Sequence, residues 1–163
     1  MLCYSIDYMH TLVKHLTKII CNTLFLTFLL FGNSFSYAEQ SVEEIIKTRQ
    51  SILSKNYKVA KKVNSLALSE DFDEAKKLML QMNENYKILI NLFPNNTQEG
   101  FDTEALPSIW ENKEEFDTLM TKAANDMLQL TSVIEDSDDI ESTLGKFMWG
   151  NCKACHNKFR VEQ

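Results

Sequence analysis

The stretch Phe116-Asp-Thr-Leu-Met120-Thr-Lys-Ala123-Ala-Asn-Asp-Met127-Leu-Gln-Leu130-Thr-Ser-Val-Ile134 decides the fold. Its apolar positions advance by four and three residues alternately. That spacing places them on one side of a helix, as a seam for other helices. No glycine or proline interrupts it. Working outward, three more segments carry helical spacing. The first has Val42, Ile45, Ile46, Ile52, Leu53, Ala60, Val63 and Ala67, with Ser41-Val42-Glu43-Glu44 as a capping-box start. The second has Phe72, Ala75, Met79, Met82, Tyr86, Leu89 and Phe93. The fourth has Leu144, Met148, Cys152, Cys155 and Phe159.

The connections agree with a bundle. Ser69-Glu70-Asp71 and Asp136-Ser137-Asp138-Asp139 are short and polar, which suits antiparallel neighbours. A longer link, residues 94–107, holds both prolines and Gly100. The chain has 163 residues with only four Gly and two Pro, which excludes collagen-like and low-complexity classes. The expectation is an all-α, antiparallel four-helix bundle in one domain. The Met and Phe stripes are expected to be core packing. A net charge of −6 gives no electrostatic basis for binding nucleic acid.

Residues 1–38 read as a secretory signal peptide. Lys14, His15 and Lys18 precede an apolar run over residues 19–31, and Ser36 and Ala38 are small residues before a cleavage point. Met9 is an equally good start. The run is short for a membrane span, so no stable membrane insertion is expected after cleavage; an uncleaved anchor is the alternative. The expected location is the periplasm. Residues 39–163 keep 15 basic and 22 acidic side chains, net −7, and only Cys152, Cys155 and His156 among their cysteines and histidines.

Those three residues form Cys152-Lys153-Ala154-Cys155-His156, the c-type haem attachment pattern. Two thiols three residues apart can each add to a vinyl group on one porphyrin edge, and the next residue projects an imidazole toward the iron. A zinc site needs about four ligands and finds three at most. A thioredoxin-like dithiol expects a βαβ context. A disulfide closing so small a loop stabilises little. The expected cofactor is one haem c, covalent through Cys152 and Cys155, with His156 as axial metal ligand. Seven residues follow His156 and none is Met, so the haem hangs on the last helix.

With these pieces assembled, the chain resembles cytochrome c′, the class II cytochrome c family. The resemblance rests on Arg49-Gln50-Ser51-Ile52-Leu53, Phe93-Pro94, Leu106-Pro107-Ser108-Ile109-Trp110, and Cys152-Lys153-Ala154-Cys155-His156-Asn157-Lys158-Phe159-Arg160. It implies a periplasmic homodimer that carries haem c in a four-helix bundle, often with a five-coordinate iron that binds nitric oxide or carbon monoxide. Leu106 stands where the family often has a basic residue.

Further cofactor-binding residues are expected on this basis. Arg49 lies on the apolar stripe of the first helix, where a charge needs a partner. A haem propionate is the expected one, with Gln50 beside it; a carboxylate on another helix or an escape to water are the alternatives. Leu53, one turn on, is the expected apolar lid over the open side of the iron; an ordinary core position, with another residue as the lid, is the alternative. Leu53 has no donor atom, and Met79, Met82, Met120 and Met127 are expected in the core. Arg160 shares a helix face with His156, and either influences the imidazole or complements the helix end. The resemblance places Glu104 at the haem edge. Trp110 and Phe159 pack on the porphyrin or in the core. The expected function is binding of small diatomic gases (NO, CO), single-electron transfer with periplasmic redox partner proteins, or both, without enzymatic activity. The alternative is a low-spin c556-type carrier with a Met sixth ligand.

Overall fold

The protein is described here from a computed structural model, which places residues 40–162 and Lys18. The expected signal peptide, residues 1–38, otherwise lies outside the described residues. Among the described residues six α-helices run in order: α1 (Val42–Leu68), α2 (Phe72–Ile90), α3 (Ser108–Glu111), α4 (Lys113–Val133), α5 (Ile140–Leu144) and α6 (Gly150–Phe159). A π-helical turn, Gly145–Trp149, joins α5 to α6. The three pieces α5, π-turn and α6 make the fourth limb of the bundle, and α3 with α4 make the third.

Helix starts follow side-chain capping. The Ser41 hydroxyl accepts from the Glu44 backbone N–H at 3.2 Å, the Asp71 carboxylate from Glu74 N–H at 3.4 Å, and Asp139 from Ser142 N–H at 2.9 Å. Each cap is worth about 1 kcal/mol, because a donor in the first turn has no partner within its own helix. Between α1 and α2, Glu70 takes φ 62°, which reverses the chain within three residues. Asn112 breaks the third limb at φ −125°, ψ 47°.

The seam that decided the fold is buried throughout: Phe116, Met120, Ala123, Met127, Leu130 and Ile134 all lie in the core. α2 packs against both α1 and α4, and α4 also carries the π-turn and α6. Met79, Met82 and Met127 are fully buried, as their stripes require. Two expectations need refinement. The fourth limb starts at Ile140, directly after the expected polar connection, and is not one regular helix. On α1, Val42, Ile45 and Ile52 are half-buried and Leu53 is 37% exposed. Only part of that stripe meets the core; Leu53 belongs to a cleft. Among the described residues no helix is long and apolar enough to cross a membrane.

The packing sets a clear contrast on α4. Leu130 has no exposed surface, whereas Leu128 is 51% exposed. Leu130→Ala should cost about 2–5 kcal/mol in urea denaturation; Leu128→Ala should stay within about 0.5 kcal/mol.

Candidate haem site

α6 brings Cys152, Cys155 and His156 to the wall of a cleft of about 740 Å³. All the other expected site residues, Arg49, Gln50, Leu53, Glu104 and Arg160, line the same cleft. Its remaining walls are largely aromatic and aliphatic, with Phe93, Phe116, Met120, Trp149 and Phe159. The rings of Phe93, Phe116 and Phe159 form a run, with centroids 4.7 Å and 5.4 Å apart. Such an opening lies in the usual range for cofactor pockets, roughly 300–1,000 Å³.

Arg49 is only 1% exposed. Its guanidinium donates to Leu92 O (3.2 Å), Thr97 Oγ1 (2.9 Å), Thr97 O (2.9 Å) and Thr103 Oγ1 (2.7 Å). It also stands over the Phe93 ring at 4.6 Å. Burial lowers its pKa to about 10. The protein side of its pairing is therefore neutral, with four acceptors on one loop. Gln50 grips the same loop, donating to Phe101 O (3.2 Å) and Asp102 O (2.9 Å). Phe101 and Asp102 hold φ of 53° and 56°, a backbone region that disfavours L side chains. These bonds from α1 fix the loop as the cleft's rim.

Across the cleft, Arg160 ends α6 and pairs with Glu104, Nε to Oε2 at 2.8 Å and Nη2 to Oε2 at 2.7 Å. The backbones of Ala105 and Arg160 form an antiparallel bridge. Leu106 N–H donates to Phe159 O and Val161 N–H to Glu104 O, each at 3.0 Å. Arg160 thus ties the helix end to the rim. Trp110 does not line the cleft; its indole N–H donates to Phe93 O and Pro94 O, both at 3.1 Å. Phe159 packs in the core and lines the cleft as well.

Both thiols are free. Burial raises the Cys152 pKa, partly offset by a hydrogen bond from the Tyr86 hydroxyl. Burial pushes Cys155 up to about 11, and Cys152 adds to the shift. Tyr86 is raised by burial first and by Cys152 second, so it stays a neutral donor. His156 is lowered by burial and then by Arg160, with Glu104 opposing. A neutral imidazole is the form that ligates a metal. Asn56, 4% exposed, also lines the cleft. Its Oδ1 accepts from Asn85 at 2.7 Å, while its Nδ2 is a buried donor without a partner.

These features fit a flat, mostly apolar macrocycle bonded at one edge. Two thiols and an imidazole share one helix, and apolar walls face them. Among the described residues no set of three or more His, Cys, Asp or Glu side chains is gathered to hold a metal. Sequence reasoning placed Tyr86 and Met120 on core stripes and missed that both also line the cleft. It gave no signal at all for Asn56, Trp149 or Asn151.

The fold and the site define a class, a helix-bundle protein built for covalent haem. Residues 44–160 match the family model described as Cytochrome C′. The chain belongs to the cytochrome c′ family, which implies covalent haem c. It is 32% identical over 137 residues to cytochrome c′ of Rhodopseudomonas palustris, spanning 82% of this chain and 91% of that protein. A solved structure of cytochrome c′ from Rhodopseudomonas palustris superposes with a TM-score of 0.63 at 30% identity, covering 76% of this chain and 99% of the other. A shorter match, 32% over 69 residues, is to cytochrome c-556 of Agrobacterium tumefaciens, covering 42% of this chain and 54% of that protein.

Two outcomes follow. Thr97→Val removes a fully buried hydroxyl acceptor from Arg49 and should cost about 1–3 kcal/mol, read by denaturant unfolding. In the haem-free chain, unfolded thiols ionise near their ordinary value of 9.0, while folded Cys155 resists to about 11. The stability it contributes is present below the lower value and lost as pH rises through the upper one. Unfolding followed from pH 8 upward should show this alkaline loss, and Cys155→Ala should reduce it.

Proposed function

We propose that this chain is an exported, periplasmic haem c protein that binds small diatomic gases at an open iron face and passes single electrons. Cys152 and Cys155 hold the porphyrin. Each thiol would supply the sulfur of one thioether link to a vinyl group, its hydrogen passing to the other vinyl carbon with no net oxidation. His156 would hold the iron. Arg49 and Gln50 would brace the rim on the propionate side, and the Glu104–Arg160 pair would flank the haem edge. When bound, haem c supplies a redox-active iron with an axial position for NO or CO.

The observation that carries the reading is Leu53 on the cleft wall. It stands on α1, one turn after Arg49, and offers no donor atom. Met79, Met82 and Met127 are fully buried and do not line the cleft. Met120 does line it, which is the one feature favouring a six-coordinate, c556-type iron. However, Met120 belongs to α4, which packs directly against α6, the helix bearing His156. That favours the His156 side for Met120 and leaves the opposite side to Leu53. An apolar lid admits neutral diatomics and offers little to a polar or anionic ligand. It also lacks the polar groups that peroxidase chemistry needs.

Removal of a leader at Ala38 and assembly as a homodimer belong to the same proposal. Leu80 and Ile88, two turns apart on α2, are large exposed apolar side chains suited to a partner surface.

The test is optical. Periplasmic protein should begin at Glu39 by intact mass, keep its pigment in acidified acetone, and show high-spin ferrous bands that shift with carbon monoxide. Leu53→Ala should bind carbon monoxide faster. A low-spin spectrum indifferent to carbon monoxide would sink the open-face reading, and an unchanged rate in Leu53→Ala would remove the lid.

A further inference from the structure

The limb that carries the attachment motif is regular except at one place. Residues Gly145–Trp149 form a π-helical turn immediately before α6, and the Gly150 backbone N–H donates to Gly145 O, five residues back. Wide turns of this kind are rare and occur mostly near functional sites. In a regular helix each residue advances by about 100°, so one extra residue in a turn rotates everything after it by about that angle. Before the turn, Leu144 is buried in the core. After it, Cys152, Cys155 and His156 line the cleft. A rotation of that size separates facing the cleft from facing another wall.

Three observations lock the turn. A Cβ on Gly150 would meet Gly145 O at 3.0 Å, so a side chain there crowds the wide turn. Asn151, 8% exposed, donates through Nδ2 to Phe147 O at 2.7 Å, a carbonyl inside the turn. The same Nδ2 donates to Asp126 Oδ2 on α4 at 2.8 Å, and Asp126 is 9% exposed. Lys122, also on α4, completes the cluster through an ion pair with Asp126 and a 3.3 Å contact to Asn151 Oδ1. A buried amide that satisfies a turn carbonyl and a carboxylate together fixes both the shape of the turn and its rotation against α4.

The geometry points to Asn151 and Asp126 as positioning residues that set the rotational register of Cys152, Cys155 and His156 toward the haem. The assignment rests on the covalent haem reading above and adds the device that aims the motif. Neither side chain needs to touch the iron.

The test uses the exported, haem-loaded protein. Asn151→Leu and Asp126→Leu should raise the share of chains with one thioether in place of two, by intact mass after acidified acetone. They should also shift the iron–imidazole stretching band in resonance Raman. Asp126→Asn keeps an oxygen acceptor for Asn151 and should retain the wild-type linkages and band. Wild-type linkages and an unmoved band in Asn151→Leu would overturn the assignment, as would Asp126→Asn behaving like Asp126→Leu. If the leucine variants do not accumulate, hydrogen exchange in the unmodified protein decides. Slow exchange of the Gly150 amide and the Asn151 carboxamide supports the lock, and fast exchange of both overturns it. A wild-type protein without covalent pigment would fail the underlying reading instead, which separates the two outcomes.

Discussion

A guanidinium taken out of water has to recover its hydrogen bonds, and this structure is organised around how Arg49 does so. Four neutral acceptors from one loop close on it, and two aromatic rings, Phe93 and Trp110, stand beside it at 4.6 Å and 5.7 Å. Neutral acceptors compensate less charge than a carboxylate, which is why burial still depresses its pKa. The exchange is architectural. One side chain on α1 converts a connection of residues 91–107 into a fixed wall, and the cleft exists because that wall does not collapse onto the bundle. Gln50 reinforces the same wall, holding carbonyls of two residues whose backbone conformation is otherwise costly.

Much of the bundle was legible because periodicity and burial are the same physics. The alternation from Phe116 to Ile134 is buried in full, and Ser41 caps the helix that its capping box announced. The motif was legible for a different reason: thioether chemistry allows few spacings. Leu53 was legible from its place one turn after Arg49, and both line one cleft. Two things were not legible. The partners of Arg49 are backbone carbonyls and threonine hydroxyls, which carry no pairing signal in a sequence. The π-turn has no periodic signature, since the residues around it still read as a passable α-helical stripe.

The site also shows how one cleft draws on every limb. α1 contributes the rim clamps and Leu53, α2 contributes Tyr86, α4 contributes Phe116 and Met120, and α6 contributes the bonding groups. Tyr86 is an instructive case. It is a core residue by burial, yet its hydroxyl is spent on the Cys152 sulfur. That hydrogen bond favours the Cys152 thiolate, but burial outweighs it, and burial of both thiols keeps them protonated until they are used.

The antiparallel bridge between Ala105 and Arg160 joins segments 55 positions apart. Contacts of such long span are late events, because loop closure has to precede any gain from them. The bridge carries the backbone beyond α6 back to the rim that α1 holds through Arg49 and Gln50. The two ends of the site, rim and attachment helix, are thus stitched by main chain, so a side-chain change at either cannot by itself unfasten them.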